Sequence, residues 1–148
     1  MVDKQRPGPP GRDAYAVFVP LATGWRDNDA YGHLNNVVYY ELFDTAVNRL
    51  LIERGLLDPA ISPVIGLVVE SYCRFHASLT FPDPVEVGVA VERLGVASVT
   101  YRLGVFRQGA ATAAAAGGYT HVYVERASGR STRIPDGQRA AMEEWRVT

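Results

Sequence analysis

The chain has 148 residues, enough for one domain with a substantial core, and 47% hydrophobic against 21% charged residues describes a folded chain, not a disordered one. Its 15 basic and 16 acidic side chains leave a net charge of -1, without the basic excess that a nucleic-acid-binding surface needs. The single cysteine, Cys73, excludes an intrachain disulfide and a cysteine-rich metal site, and is expected to be a buried small apolar residue.

Residues 1–14, with prolines and glycines at 7–11, are expected to form a flexible tail ahead of a single domain over 15–148. No apolar stretch follows the early charges, so no signal peptide is expected, and no run is long enough to span a membrane. A cytoplasmic protein is the resulting expectation. A first strand is predicted from about Tyr15 to Leu21. The segment Trp25 to Asn36, "WRDNDAYGHLNN", lacks a steady period and reads as a loop.

Helical periodicity follows, with Tyr39, Leu42, Phe43, Ala46, Leu50 and Leu51 forming a wide apolar stripe that Gly55 terminates. Val64 to Phe75 is a predicted strand. Val85 to Glu92 and Ser98 to Phe106 alternate as half-buried strands do. In "AATAAAAGGYTHVYVER", alanine favours helix, but Gly117-Gly118 and the strand formers from Tyr119 to Val124 favour a long strand. Small side chains there would admit a close neighbour, and the long helix is the expected one. A short helix from Gly137 to Trp145 closes the chain. One apolar helix on an antiparallel sheet is the expected α+β architecture.

The loop before the long helix carries the candidate chemistry. If the helix starts near Asn35 or Asn36, its free backbone N–H groups point into that loop and suit an oxyanion. Asp27 and Asp29 lie just upstream, and Gly32 would allow a tight approach. A carboxylate plus backbone donors suffices to hydrolyse an activated acyl compound, by direct attack or by deprotonating water. An aspartate is a weak base at neutral pH, which favours a thioester, with its good thiolate leaving group, over an amide. Helix capping accounts for the same residue types equally well. His33, His76 and His121 show no metal-ligand spacing, so no metal or cofactor is expected.

Asp27, Asp29, Gly32, His33, Asn35, Asn36 and Tyr39, together with Glu70-Ser71-Tyr72 and the last-strand segment "HVYVERASGRSTRIPD", resemble the 4-hydroxybenzoyl-CoA thioesterase-like family of hotdog-fold acyl-CoA thioesterases. The resemblance implies a long central helix wrapped by a curved antiparallel β-sheet. It implies Asp29 as the catalytic carboxylate, a helix-start amide near Asn36 polarising the thioester carbonyl, and His33 and Asn35 shaping the acyl entrance. Gly32 and Tyr39 would line the substrate site, and Asp27 would support it. It further implies a homodimer, with each acyl-CoA site at the subunit junction; in the family two such dimers often associate into a homotetramer. Arg74, Arg102, Arg107, Arg126, Arg130 and Arg133 are candidates for CoA phosphates. The Gly-His-x-Asn-Asn form resembles that of many broader-range acyl-CoA hydrolases, whereas some relatives that prefer aryl substrates carry more apolar or aromatic residues there, which argues against 4-hydroxybenzoyl-CoA itself as the substrate. Alternatives are hydrolysis from acyl carrier protein, dehydration of a hydroxyacyl thioester by Asp29 and His33, and acyl-CoA binding without turnover.

Overall fold

The structure, a computed structural model, describes residues 6–147. The first five residues of the expected tail, and Thr148, lie outside them. Five strands, β1 (Val17–Leu21), β2 (Val64–Phe75), β3 (Val85–Leu94), β4 (Ser98–Arg107) and β5 (Ala115–Glu125), form one antiparallel sheet in the order β1-β3-β4-β5-β2. The long helix α1 (Asn36–Glu53) packs on the inner face, and α2 (Asp136–Glu144) closes one end. This is the α+β hotdog arrangement.

The inner face follows from the period-2 pattern. Val85, Val87, Val89 and Val91 of β3, with Val99, Tyr101, Leu103 and Val105 of β4, are buried against Phe43, Ala46, Val47 and Leu51 of α1. Burying each such aliphatic side chain contributes roughly 1.5–3 kcal/mol. The helix is stopped as its sequence suggests. Gly55 takes φ +70 and donates to the Ile52 carbonyl, while the Leu56 amide reaches back to Leu51. That pair of bonds is a Schellman cap, and Leu56 packs against the core cluster that holds Leu51.

Two features differ from the sequence-based expectation. Residues 10–14, within the stretch read as a tail, lie with Tyr15 along the outer face of the sheet. Arg12 pairs with Glu86 and stacks on Phe18 at 4.1 Å, and Pro10 accepts from the Ala113 amide. Tyr15 covers the register partners Gly88 and Gly104, where a Cβ would collide with its ring. The glycines of β5 also serve a different neighbour. A Cβ at Gly117 would strike the Tyr72 backbone of β2, and one at Gly118 would strike Tyr101 of β4. At these two glycines adjacent strands, not the helix, exclude a side chain, while Ala114 and Ala115 lie in the core cluster that holds α1, as expected.

Candidate active site

The segment from Asp27 to Asn35 folds back on itself as a narrow hairpin. The Asp29 amide donates to His33 O at 2.8 Å, Gly32 N donates to Asp29 O at 3.2 Å, and Asn35 N donates to Asp27 O at 2.9 Å. Gly32 sits at φ +81 at the end of this turn, the left-handed position that three-residue hairpin loops require. Among the described residues nothing lies within 4 Å of where its Cβ would be, so the backbone conformation selects glycine, not the close approach read from sequence. The hairpin is strapped to the segment before β3. Asn28 donates to Thr80 Oγ1 at 3.1 Å and accepts from Phe81 N at 2.9 Å, Thr80 Oγ1 donates to Gly32 O at 2.8 Å, and Leu34 N donates to Leu79 O at 2.8 Å.

These bonds leave the two aspartates in different places. Asp27 Oδ2 accepts from Gly24 N at 2.7 Å, closing its own turn, and the side chain lies outside the cleft described next. Asp29 Oδ1 accepts from Tyr31 N at 2.8 Å and His33 N at 3.3 Å. Its Oδ2 has no hydrogen-bond partner among the described residues. The carboxylate is therefore oriented by one oxygen and open at the other. Asn35 caps α1, its Oδ1 accepting from Val37 N at 3.1 Å, and its carbonyl accepts from Val38 N. Among the described residues, the Asn36 N–H of this first turn is left without a protein acceptor.

Asp29, His33, Asn35, Asn36 and Tyr39 line one open cleft of about 640 Å³. Gly32 is absent from that wall and acts through the hairpin's shape. Tyr39 is buried and meets Phe75 edge-on with ring centres 5.1 Å apart. Burial pushes its hydroxyl above the usual phenol range. The loop motif gave no sign of Phe75, His76 and Ser78, which form the opposite wall. They arrive because β2 pairs with β5 and the chain just after it stays tied, His76 N and Ala77 N both donating to Ala114 O. Partial burial, then the Arg6 and Arg74 charges, lower the His76 pKa.

None of the six candidate arginines lines this cleft. Arg107 pairs with Asp83, Arg102 with Glu92, and Arg133 with Asp136, while Arg74 lies over the Tyr72 ring. Cys73 is half-buried beside the core, and burial pushes its thiol up to about 11. Among the described residues no group of three or more His, Cys, Asp or Glu side chains is placed to hold a metal, and no helix is long and apolar enough to cross a membrane.

The family described as the thioesterase-like superfamily matches residues 23–142. The PA5185 protein of Pseudomonas aeruginosa strain PAO1 is similar at 49% identity and TM-score 0.92, over 95% of this chain and 98% of that one. PA2801 of the same species is similar at 26% identity and TM-score 0.77, over 87% and 98%. The BH1999 gentisyl-coenzyme A thioesterase shares the fold, at 24% identity and TM-score 0.74, over 85% and 99%. No curated protein matches the sequence.

Proposed function

From a chain that belongs to the thioesterase-like superfamily, we propose an acyl-CoA thioester hydrolase that uses Asp29 as its reacting carboxylate. The carrying observation is that Asp29, with one free oxygen, and the unpaired Asn36 amide line the same cleft. The thioester carbonyl oxygen lies at the Asn36 N–H, whose helix dipole favours the developing oxyanion. Asp29 Oδ2 either attacks the carbonyl carbon, giving an acyl-aspartyl anhydride that water then cleaves, or takes a proton from the attacking water. In both routes the carbon–sulfur bond breaks, CoA leaves as thiolate, and the products are free acid and CoA. Tyr31 N and His33 N hold the second carboxylate oxygen and fix the direction of attack.

The functional unit in this proposal is a homodimer. What supports it is the apolar surface of the sheet's edge strand. Leu67, Val68, Val69 and Tyr72 of β2 are exposed, as are Val37 and Tyr40 of α1 beside them. A panel of short, medium, long and aryl acyl-CoAs, assayed for thiol release with wild type and Asp29→Asn, tests the reading. At least one acyl-CoA should be hydrolysed, and Asp29→Asn should lose about 100-fold or more in kcat at unchanged oligomer size. Full-rate hydrolysis by Asp29→Asn would end it.

A further inference from the structure

His76, on the far wall of the Asp29 cleft, also lines a second groove on the outer face of the sheet, with Tyr72, Arg74, Glu92 and Arg102. That groove holds about 180 Å³, less than a whole-ligand cavity, so it suits one part of a ligand whose remainder lies elsewhere. Strand register builds it. Arg74 of β2 stands opposite Ala116 of β5, and Arg102 of β4 stands opposite Gly118, so two arginines flank a strip of alanine and glycine.

Two cations meet where the clefts join, and neither has an anionic partner. Arg6 Nη2 donates to Phe75 O at 2.6 Å, which holds its guanidinium beside the residue preceding His76. Arg74 lies over the Tyr72 ring at 5.2 Å. Among the described residues neither is paired with a carboxylate. Both stand near enough to His76 for their charges to help lower its pKa, which locates them at the shared edge of the two clefts. Like charges gathered in this way repel, and an anion set between them would relieve the repulsion. Glu92, the carboxylate of the groove, is engaged elsewhere, accepting from Arg102 Nη2 at 3.4 Å, while Arg102 Nη1 donates to Ala14 O at 3.2 Å. Pairing of two copies along β2 would use the backbone edge of that strand and leave its outward side chains on the outer face. Arg102 and Glu92 lie on β4 and β3, away from that edge.

We propose that Arg6 and Arg74 bind the phosphates of CoA at this groove. The proposal rests on the hydrolase reading and deepens it. With the thioester carbonyl at the Asn36 N–H, the pantetheine arm passes His76 and the diphosphate meets the two guanidiniums, whose forked donors match phosphate oxygens. The arrangement favours CoA over an acyl carrier protein, whose pantetheine arm ends in a single phosphodiester. Calorimetric titration of the full chain with CoA, and separately with pantetheine, tests it. CoA should bind about tenfold or more tightly than pantetheine. Arg6→Gln and Arg74→Gln should each weaken CoA about tenfold and leave pantetheine unchanged. Arg133→Gln, which alters an arginine paired with Asp136 outside both clefts, should change neither. In thiol release, the first two variants should raise KM for an acyl-CoA but not for the matching acyl-pantetheine, at unchanged kcat. Equal affinity for CoA and pantetheine, no binding of CoA, or a loss in Arg133→Gln as large as that in Arg74→Gln would each overturn the proposal. CoA binding that needs Arg6 and Arg74, in a chain that hydrolyses no thioester, would keep this site and end the hydrolase reading. Asp29-dependent turnover with CoA binding untouched in both variants would do the reverse.

Discussion

Replacing Asn35 with aspartate separates the two jobs of the α1 start. Asn35 Oδ1 caps the helix through Val37 N at 3.1 Å, and an aspartate oxygen accepts the same bond. Its negative charge also suits the helix dipole, so stability should hold or rise by roughly 0.3–1 kcal/mol. Catalysis should move the other way. The Asn36 amide is adjacent, so the new charge would sit on the order of 6 Å from an oxyanion held there, and at an effective dielectric constant of about 20 that repulsion is about 3 kcal/mol. Asn35 is exposed, and solvent screening reduces this to about 1–2 kcal/mol, or roughly a 5- to 30-fold fall in kcat. Asn35→Ser, a neutral cap, should keep both stability and most of the rate. The assay is thiol release from the best acyl-CoA of the panel, paired with thermal unfolding of each variant. An Asn35→Asp enzyme that unfolds at the wild-type temperature and turns over at the wild-type rate would show that the oxyanion is held elsewhere.

Three further outcomes follow from the geometry. Gly32→Ala forces an L-residue to φ +81 and should cost about 1–2 kcal/mol, lowering the melting temperature by several degrees; because the Cβ meets nothing, Gly32→Asn should recover most of it, and equal losses would refute the backbone argument. Gly104→Ala should collide with Tyr15 and destabilise the chain, whereas in a Tyr15→Leu background the same change should cost less, by a coupling of about 0.5–3 kcal/mol measured in urea; strict additivity would contradict the contact. His121, held near a pKa of about 4 against an ordinary 6.5, stays neutral in the fold while the unfolded chain protonates. Its contribution is therefore full above pH 6.5 and is lost as pH falls toward 4, on the order of 3 kcal/mol in all. Urea midpoints of wild type and His121→Phe across that window should differ in slope, and parallel curves would rule the effect out.

What the sequence revealed about this molecule tracks how local each cause is. The Asn35 cap and the Gly55 stop depend on residues within one helical turn, and both are visible as residue types at fixed offsets. The inner faces of β3 and β4 are equally legible, because their strict apolar alternation matches the two-residue period of a half-buried strand and no helical period. The path of residues 10–14 was not. Prolines and glycines there read as a tail, and only the facing pair Gly88 and Gly104, brought together by strand register, opens the space that Tyr15 fills. The loop side of the candidate site was readable for the same reason as the cap, while its other wall was not. Phe75, His76 and Ser78 reach the cleft through the β2–β5 pairing and the Ala114 carbonyl, contacts roughly forty residues apart in sequence that leave no periodic signature.

The two aspartates make the same point in chemistry. In a D-x-D pattern each carboxylate is an equally good cap and an equally good reagent on paper. The family resemblance favours Asp29, and position gives the physical reason: each carboxylate binds the backbone through one oxygen, but only Asp29 lines the cleft, whereas Asp27 lies away from it. Asp27→Asn retains an acceptor for the Gly24 amide, so it should leave kcat within a factor of about three and shift stability by no more than about 1 kcal/mol. Asp29→Asn keeps its loop acceptor too, so a difference in rate between these two isosteric changes reports the carboxylate that lines the cleft. Rate losses of equal size in the pair would mean that the hairpin's fold, not a single carboxylate, governs turnover.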